Sequence, residues 1–279
     1  PAQGRRNIQR RQIMQDLKSI QLYMLDMDGT IYNEDTLILG ATEFFGLLDE
    51  QGKDYVFMTN NSSKGKVSYV EKLNRLGIKA TERNIASSVN ATVMYLNNHK
   101  PKAKIYLVGT ESFRKELTEE GFEIVPVDYR GTDIDYVLLG FDTELNYEKV
   151  RGACYYASRN FPYIATNCDL KCPVLDNKFI PDCGAIAKLI ELATDRQPLY
   201  LGKPERTMVD AVSKEWGVPI EQIACVGDRL YTDIAVGINA GATSICVFTG
   251  EATKEEIALS QFKPDYCFDS IKELYQALL

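Results

Sequence analysis

Leu22-Tyr23-Met24-Leu25-Asp26-Met27-Asp28-Gly29-Thr30 is the stretch on which the reading of the fold turns. Four apolar residues in a row suit a strand covered on both faces, and they run straight into two acids and a glycine. Four other runs share this form. Tyr55-Val56-Phe57-Met58 ends in Thr59, and Leu199-Tyr200-Leu201 ends in Gly202-Lys203. Ile223-Ala224-Cys225-Val226 ends in Gly227-Asp228, and Ser244-Ile245-Cys246-Val247-Phe248 ends in Thr249-Gly250. Helical periods separate the runs. Lys64 to Leu76 stops at Gly77, and Thr207 to Trp216 stops at Gly217 with Pro219 beyond. Strands alternating with helices in this way predict a doubly wound α/β fold around a parallel sheet.

Between the second and third runs lies an insert with an alternation of its own. Apolar runs at Ile105–Val108, Glu123–Val125, Tyr136–Leu139 and Tyr163–Thr166 read as strands. Glu111–Glu120, Tyr147–Arg159 and Gly184–Thr194 read as helices. An insert of that size is a second domain rather than a loop. The expected division is an N-terminal segment over 1–20, a core over 21–84 and 196–279, and an inserted domain over 85–195. The first segment carries Arg5, Arg6, Arg10 and Arg11 and is expected to be a solvated N-terminal helix, with a nucleic-acid arm as the alternative.

Composition narrows the chemistry. Among 279 residues, 32 Lys and Arg face 39 Asp and Glu, for a formal net charge of −7. That sign opposes general binding to nucleic acid or anionic lipid. No apolar run approaches the roughly 20 residues that span a bilayer. The single histidine, His99, excludes mechanisms needing two imidazoles. Seven scattered cysteines read as reduced thiols, and with them a cytoplasmic location is expected. Cys168, Cys172 and Cys183 lack the spacing and the fourth ligand of a zinc site. There is no Gly-x-Gly-x-x-Gly and no phosphate loop of the ATP-binding spacing.

The residues at the ends of the runs carry the functional reading. Asp26, Asp28, Thr59, Asn60, Lys203, Asp228 and Asp233 all fall at, or just past, the C-terminal ends of expected parallel strands. In open α/β sheets ligands bind along that edge. Carboxylates brought so close repel unless a hard cation sits among them, and oxygen-only donors select Mg²⁺ over zinc. Lys203 and the Thr59-Asn60 donors suit an anion beside the metal, and a phosphate satisfies both halves. Ser62, Ser63 and the backbone N–H groups after Thr59 are expected to open a helix and seat that phosphate. At the strand end, Asp26 can attack phosphorus and form an acyl-phosphate, while Asp28 can exchange protons with the leaving oxygen and with water.

These segments also resemble a known family. Asp26-Met27-Asp28-Gly29-Thr30, Thr59-Asn60-Asn61-Ser62, Gly202-Lys203-Pro204 and Gly227-Asp228-Arg229-Leu230-Tyr231-Thr232-Asp233 are similar to the four ordered motifs of haloacid dehalogenase (HAD) superfamily phosphatases. Their wording, and an insert between the second and third motifs, resemble the NagD-like branch with a type IIA cap. The resemblance spans Gln21 to Leu279. It implies a Rossmann-like three-layer α/β/α core, an α/β cap, Mg²⁺ and an aspartyl-phosphate intermediate. It also implies roles. Asp26 is nucleophile and metal ligand, Asp28 is acid/base and ligates through its carbonyl, and Asp228 is a further metal ligand. Asp233 partners waters on the metal, while Thr59, Asn60 and Lys203 hold the phosphate. Cap residues Asn167, Asp169 and Asp182 are expected to set substrate preference. A homodimer formed through the cap is implied as well.

Taken singly, each motif has a bland reading as a turn, a cap or a surface charge. Their ordered recurrence at strand ends does not. The leading expectation is a Mg²⁺-dependent phosphatase of a small phosphorylated metabolite, such as a sugar phosphate or nucleoside monophosphate. A phosphotransferase or mutase sharing the intermediate, and a phosphate-binding module without turnover, stand as alternatives.

Overall fold

The computed structural model describes residues 17–174 and 178–279. The four arginines of the N-terminal segment lie outside the described residues. The chain forms two compact units. The first comprises residues up to Met58, Val70–Ala86 and Val209–Leu279; the second comprises Thr59–Tyr69 and Ser87–Met208.

The strands, in chain order, are β1 (Leu22–Asp26), β2 (Tyr32–Asn33), β3 (Thr36–Leu37), β4 (Asp54–Thr59), β5 (Ile85–Ser87), β6 (Lys104–Val108), β7 (Glu123–Ile124) and β8 (Tyr136–Leu139). They continue with β9 (Tyr163–Ala165), β10 (Lys171–Val174), β11 (Lys178–Pro181), β12 (Leu199–Tyr200), β13 (Ile223–Gly227), β14 (Thr243–Val247) and β15 (Tyr266–Phe268).

The first sheet has the order β15-β14-β13-β1-β4-β5. β1 pairs in parallel with β13 on one side and β4 on the other, with Leu25 opposite both Val226 and Phe57. Continuous apolar runs occupy the middle of this sheet because both faces are covered: Leu22 to Leu25 and all of β13 are buried. Helix Ala41–Gln51 lays Phe44 against Tyr23, 5.6 Å between ring centres, and Phe45 against Phe57. Burying side chains of this size contributes about 1.5–3 kcal/mol each.

The second sheet has the order β12-β9-β8-β6-β7, and every pair is parallel. Strict alternation shows how it is covered. Tyr106, Val108, Val137, Leu139, Tyr163 and Ala165 join one core with residues of helices Tyr147–Ala157 and Cys183–Thr194. Ile105, Leu107, Leu138 and Ile164 join the opposite core with helices Ser88–His99 and Glu111–Glu119. The inserted region is thus a three-layer α/β/α sandwich in its own right. β12, one of the five runs from which the first sheet was read, pairs with β9 in this second sheet. Its short apolar run could not specify which of two parallel sheets would take it.

Two antiparallel hairpins, β2–β3 and β10–β11, escaped the sequence reading. Their strands are two to four residues long, too short to leave a period to detect. Among the described residues no helix is long and apolar enough to cross a membrane.

Candidate active site

In the first unit, parallel pairing sets the acids. β1 ends at Asp26 and its neighbour β13 ends at Gly227, so Asp26 and Asp228 leave adjacent strands at the same edge. One turn of π-helix, Leu230–Ile234, brings Asp233 back to them, and the Asp233 Oδ2 accepts the Arg229 backbone N–H at 3.1 Å. Carboxylate oxygens of Asp26, Asp228 and Asp233 all lie within 4.8 Å of one another. Asp228 and Asp233 are buried. Arg229 responds to all three acids. Burial alone would lower its pKa, but the charges of Asp26, Asp233 and Asp228 outweigh that and push it above its ordinary value.

Asp228 is held by the loop that follows β14. Its Oδ2 accepts the Glu251 N–H at 2.7 Å and its carbonyl accepts the Ala252 N–H at 2.8 Å. The Thr249 hydroxyl donates to the Gly29 carbonyl at 2.6 Å, tying that loop to the Asp28-Gly29 turn. Space here is fully used. A Cβ on Gly250 would sit 1.9 Å from Asp228 Oδ2, and one on Gly29, whose φ is +88°, would sit 2.7 Å from the same atom. Thr249-Gly250 closes an apolar run in the sequence, and Glu251 follows it. The strand-end rule that selected Asp26 and Asp228 points to this loop equally.

Asp28 is placed differently. The N–H groups of Thr30, Ile31 and Tyr32 converge on the Met27 carbonyl, and that tight turn leaves the Asp28 side chain 57% exposed. Lys72, on helix Lys66–Arg75, approaches its Oδ1 at 3.9 Å and lies 3.7 Å from the centre of the Tyr32 ring. Lys72 was not singled out in the sequence, because a lysine in an amphipathic helix carries no distinguishing local signal.

In the second unit, Thr59, Asn60 and Lys203 are all buried. Thr59 Oγ1 accepts the Asn61 N–H at 3.1 Å, and Asn61 Oδ1 accepts both the N–H and the hydroxyl of Ser63. These side-chain turns take the N–H groups of Asn61 and Ser63, two of those expected to open a helix. The helix begins only at Lys66, so Ser62 and Ser63 lie in a loop before it. The Ser62 hydroxyl faces Thr166 at 2.9 Å and accepts the Phe141 N–H at 2.8 Å.

The side-chain amide of Asn60 pairs with the backbone of Lys203 in both directions. Its Oδ1 accepts the Lys203 N–H at 2.9 Å, and its Nδ2 donates to the Lys203 carbonyl at 3.1 Å. The same Nδ2 donates to Asp169 Oδ2 at 3.0 Å. Asn167, Asp169 and Asp182 are buried together, with Asn167 Nδ2 donating to both aspartates at 3.1 Å. Burial pushes the Cys168 thiol up to about 11, with a further push from Asp169, and the Cys183 thiol up to about 12. Neither is disposed to act as a thiolate nucleophile.

A family model described as haloacid dehalogenase-like hydrolase matches residues 23–123, and a HAD-hydrolase-like model matches residues 200–274. A 5'-nucleotidase of Bacillus subtilis, YutF, is 32% identical over 257 residues, covering 92% of this chain and 98% of the relative. The chain belongs to the haloacid dehalogenase-like hydrolases. It is a phosphatase of that family, acting on phosphomonoesters. An acid sugar phosphatase of Staphylococcus epidermidis is 33% identical, covering 91% of this chain and 96% of the relative. The solved 4-nitrophenylphosphatase of Thermotoga maritima superposes with a TM-score of 0.88 at 40% identity, covering 95% of this chain and 99% of that one. NagD of E. coli superposes with a TM-score of 0.82 at 29% identity, covering 91% and 98%. The HAD fold and the NagD-like likeness expected from the motifs are therefore both found.

Proposed function

We propose that this HAD phosphatase hydrolyses a small phosphomonoester through an aspartyl-phosphate on Asp26, with Mg²⁺ as its metal. The observation that carries this reading is the gathering of Asp26, Asp228 and Asp233 within 4.8 Å. The fit of a metal rests on that donor set. Three carboxylates, two of them buried, offer only hard oxygen ligands, the preference of Mg²⁺ rather than zinc. Asp26 and Asp228 would hold the ion with the Asp28 carbonyl, and Asp233 would hold its waters. When bound, Mg²⁺ supplies positive charge against the phosphoryl oxygens and the attacking carboxylate.

The chain's own residues carry the steps. The Asp26 carboxylate oxygen bonds to phosphorus while the bond from phosphorus to the leaving oxygen breaks, and Asp28 gives that oxygen its proton. Asp28, now ionised, takes a proton from water as the water oxygen attacks phosphorus. The bond from Asp26 to phosphorus then breaks, which releases orthophosphate and leaves Asp26 as a carboxylate and Asp28 protonated, as at the start. Thr59, the backbone N–H of Asn60 and Lys203 hold the phosphoryl group, with Lys203 countering its charge. Residues 85–195 would serve as the cap domain that selects the leaving group.

Relatives named as a 5'-nucleotidase and as acid sugar phosphatases support a nucleoside monophosphate or a sugar phosphate as substrate class. Free thiols at Cys154, Cys168, Cys183, Cys246 and Cys267 support a reducing, cytoplasmic setting. The test is hydrolysis of p-nitrophenyl phosphate with Mg²⁺ and with chelator, in wild type and Asp26→Asn, beside calorimetric titration of Mg²⁺ alone. Metal-dependent turnover lost in Asp26→Asn supports the reading. Undiminished turnover in that variant, or activity indifferent to the chelator with no Mg²⁺ binding, overturns it.

A further inference from the structure

An amide side chain has one acceptor oxygen and two N–H donors, and the Asn60 amide has partners for all of them inside the second unit. The oxygen accepts from the Lys203 N–H, while the two hydrogens serve the Lys203 carbonyl and Asp169 Oδ2. The orientation follows from the partners. A flipped amide would set NH₂ against the Lys203 N–H, donor against donor, and its oxygen against a carbonyl and a carboxylate. No donor of this side chain is left over for a phosphoryl oxygen.

Asp169 sits in the middle of a longer chain of contacts. Its Oδ2 also accepts from Asn167 Nδ2, which donates in turn to Asp182 Oδ1. Asp182 is the N-cap of helix Cys183–Thr194, its carboxylate accepting the Cys183 N–H. Thr166 at the end of β9 orients Asn167 by donating to its Oδ1 at 3.0 Å, and Ser88 ties down the Asn60 carbonyl at 2.7 Å. Asp169 and Asn60 are 6% exposed, Asp182 is 5% exposed, Lys203 is 3% exposed and Asn167 is fully buried. Apart from Asp169 Oδ1, groups this enclosed and this mutually paired have little left to offer a varying leaving group.

We infer that Asp169 is a positioning residue: through Asn60 it fixes the backbone of Lys203, and Asn167 and Asp182 anchor Asp169 to the rigid end of a helix. Substrate preference is then not what Asn167, Asp169 and Asp182 determine. Their contribution is common to every phosphomonoester, because the phosphoryl group is the part all such substrates share. This inference rests on the proposed reading in which Lys203 holds that group.

The experiment compares Asp169→Ala, Asp169→Asn, Asn60→Ala, the Asn60→Ala/Asp169→Ala double variant and Lys203→Ala. Each is assayed on p-nitrophenyl phosphate, a nucleoside monophosphate and a sugar phosphate. Asp169→Ala and Asn60→Ala are each expected to lower kcat/KM by about 10- to 100-fold, as misplacing a phosphate-holding group does. The loss should be shared equally by all substrates, and the double variant should be no worse than the poorer single one. Asp169→Asn keeps an oxygen to accept from Asn60 and Asn167, and Asp169 Oδ1, which has no hydrogen-bond partner, leaves its new NH₂ without a displaced donor. It should recover most of the activity. Asn60→Ala cuts the same link from the other side if Asp169→Ala does not fold. A change in the ratio of substrates overturns the inference in favour of a specificity role. Asp169→Asn as damaging as Asp169→Ala overturns it in favour of the charge. Additive losses in the double variant overturn it as well. Lys203→Ala separates the two layers: if its activity matches wild type, the reading of Lys203 fails, whereas its collapse beside an active Asp169→Ala sinks the positioning inference alone.

Discussion

The acid cluster of the first unit and the amide network of the second use buried polar groups in opposite ways. Asp26, Asp228 and Asp233 place like charges within 4.8 Å of one another, with Arg229 as a nearby cation whose own protonation they reinforce. Asn60, Asn167 and Asp169 instead pair donor with acceptor at 3.0–3.1 Å, almost without remainder. In the first arrangement Arg229 balances part of the charge, and by the proposed reading Mg²⁺ would balance the rest. The second is favourable as folded and resists change, which is what a support requires. One region keeps its stabilisation for a ligand, and the other spends it on geometry.

That contrast can be broken most forcefully at Asp26. Asp26→Asn should lower kcat by on the order of a thousandfold or more, since an amide oxygen cannot replace the nucleophile. The melting temperature should stay level or rise, because the substitution also removes a repelling charge. Asp228→Asn should show the same tension with a smaller kinetic loss of about a hundredfold. In chelator it should melt a few degrees above wild type, and with excess Mg²⁺ that order should reverse, as thermal melts in the two buffers will show. A lower melting point in chelator would mean that the acids do not strain one another.

Steric and hydrogen-bond variants sharpen the comparison further. Gly250→Ala pushes a methyl against Asp228 Oδ2 and should cost about 1–3 kcal/mol in urea unfolding. Thr166→Val leaves the Ser62 hydroxyl and Asn167 Oδ1 without their shared partner and should cost about 1–2 kcal/mol by the same measurement. The smallest effect is expected from alkylation. With Cys168 held up to about 11 and Cys183 up to about 12, both thiols stay protonated at pH 8, and iodoacetamide should leave activity unchanged.

The first sheet was legible because β1, β4, β13 and β14 are uninterrupted apolar runs, each closed by a polar residue, and a parallel sheet covered on both faces demands that text. The acids were legible for the same reason, since a strand end is a place in three dimensions that can be named from one. β12 shows where this fails. Two residues of strand identify neither their partner nor their sheet, and only packing against β9 decides. Ser62 and Ser63 show a second failure. Asn61 and Thr59 capture the loop's N–H groups locally, so a segment that reads as a helix start turns before the helix begins.

Apolar periodicity and the residues that end each run were sufficient, without coordinates, for the α/β class and for acids at the strand ends. Those features depend on neighbours in the chain. The chain alone could not say that the Asn60 amide pairs with Lys203, 143 positions away, nor that Asp169 is a hydrogen-bond partner of Asn60. A side-chain hydrogen bond has a reach of about 3 Å and carries no period, so its partner exists only once folding has brought distant backbone together.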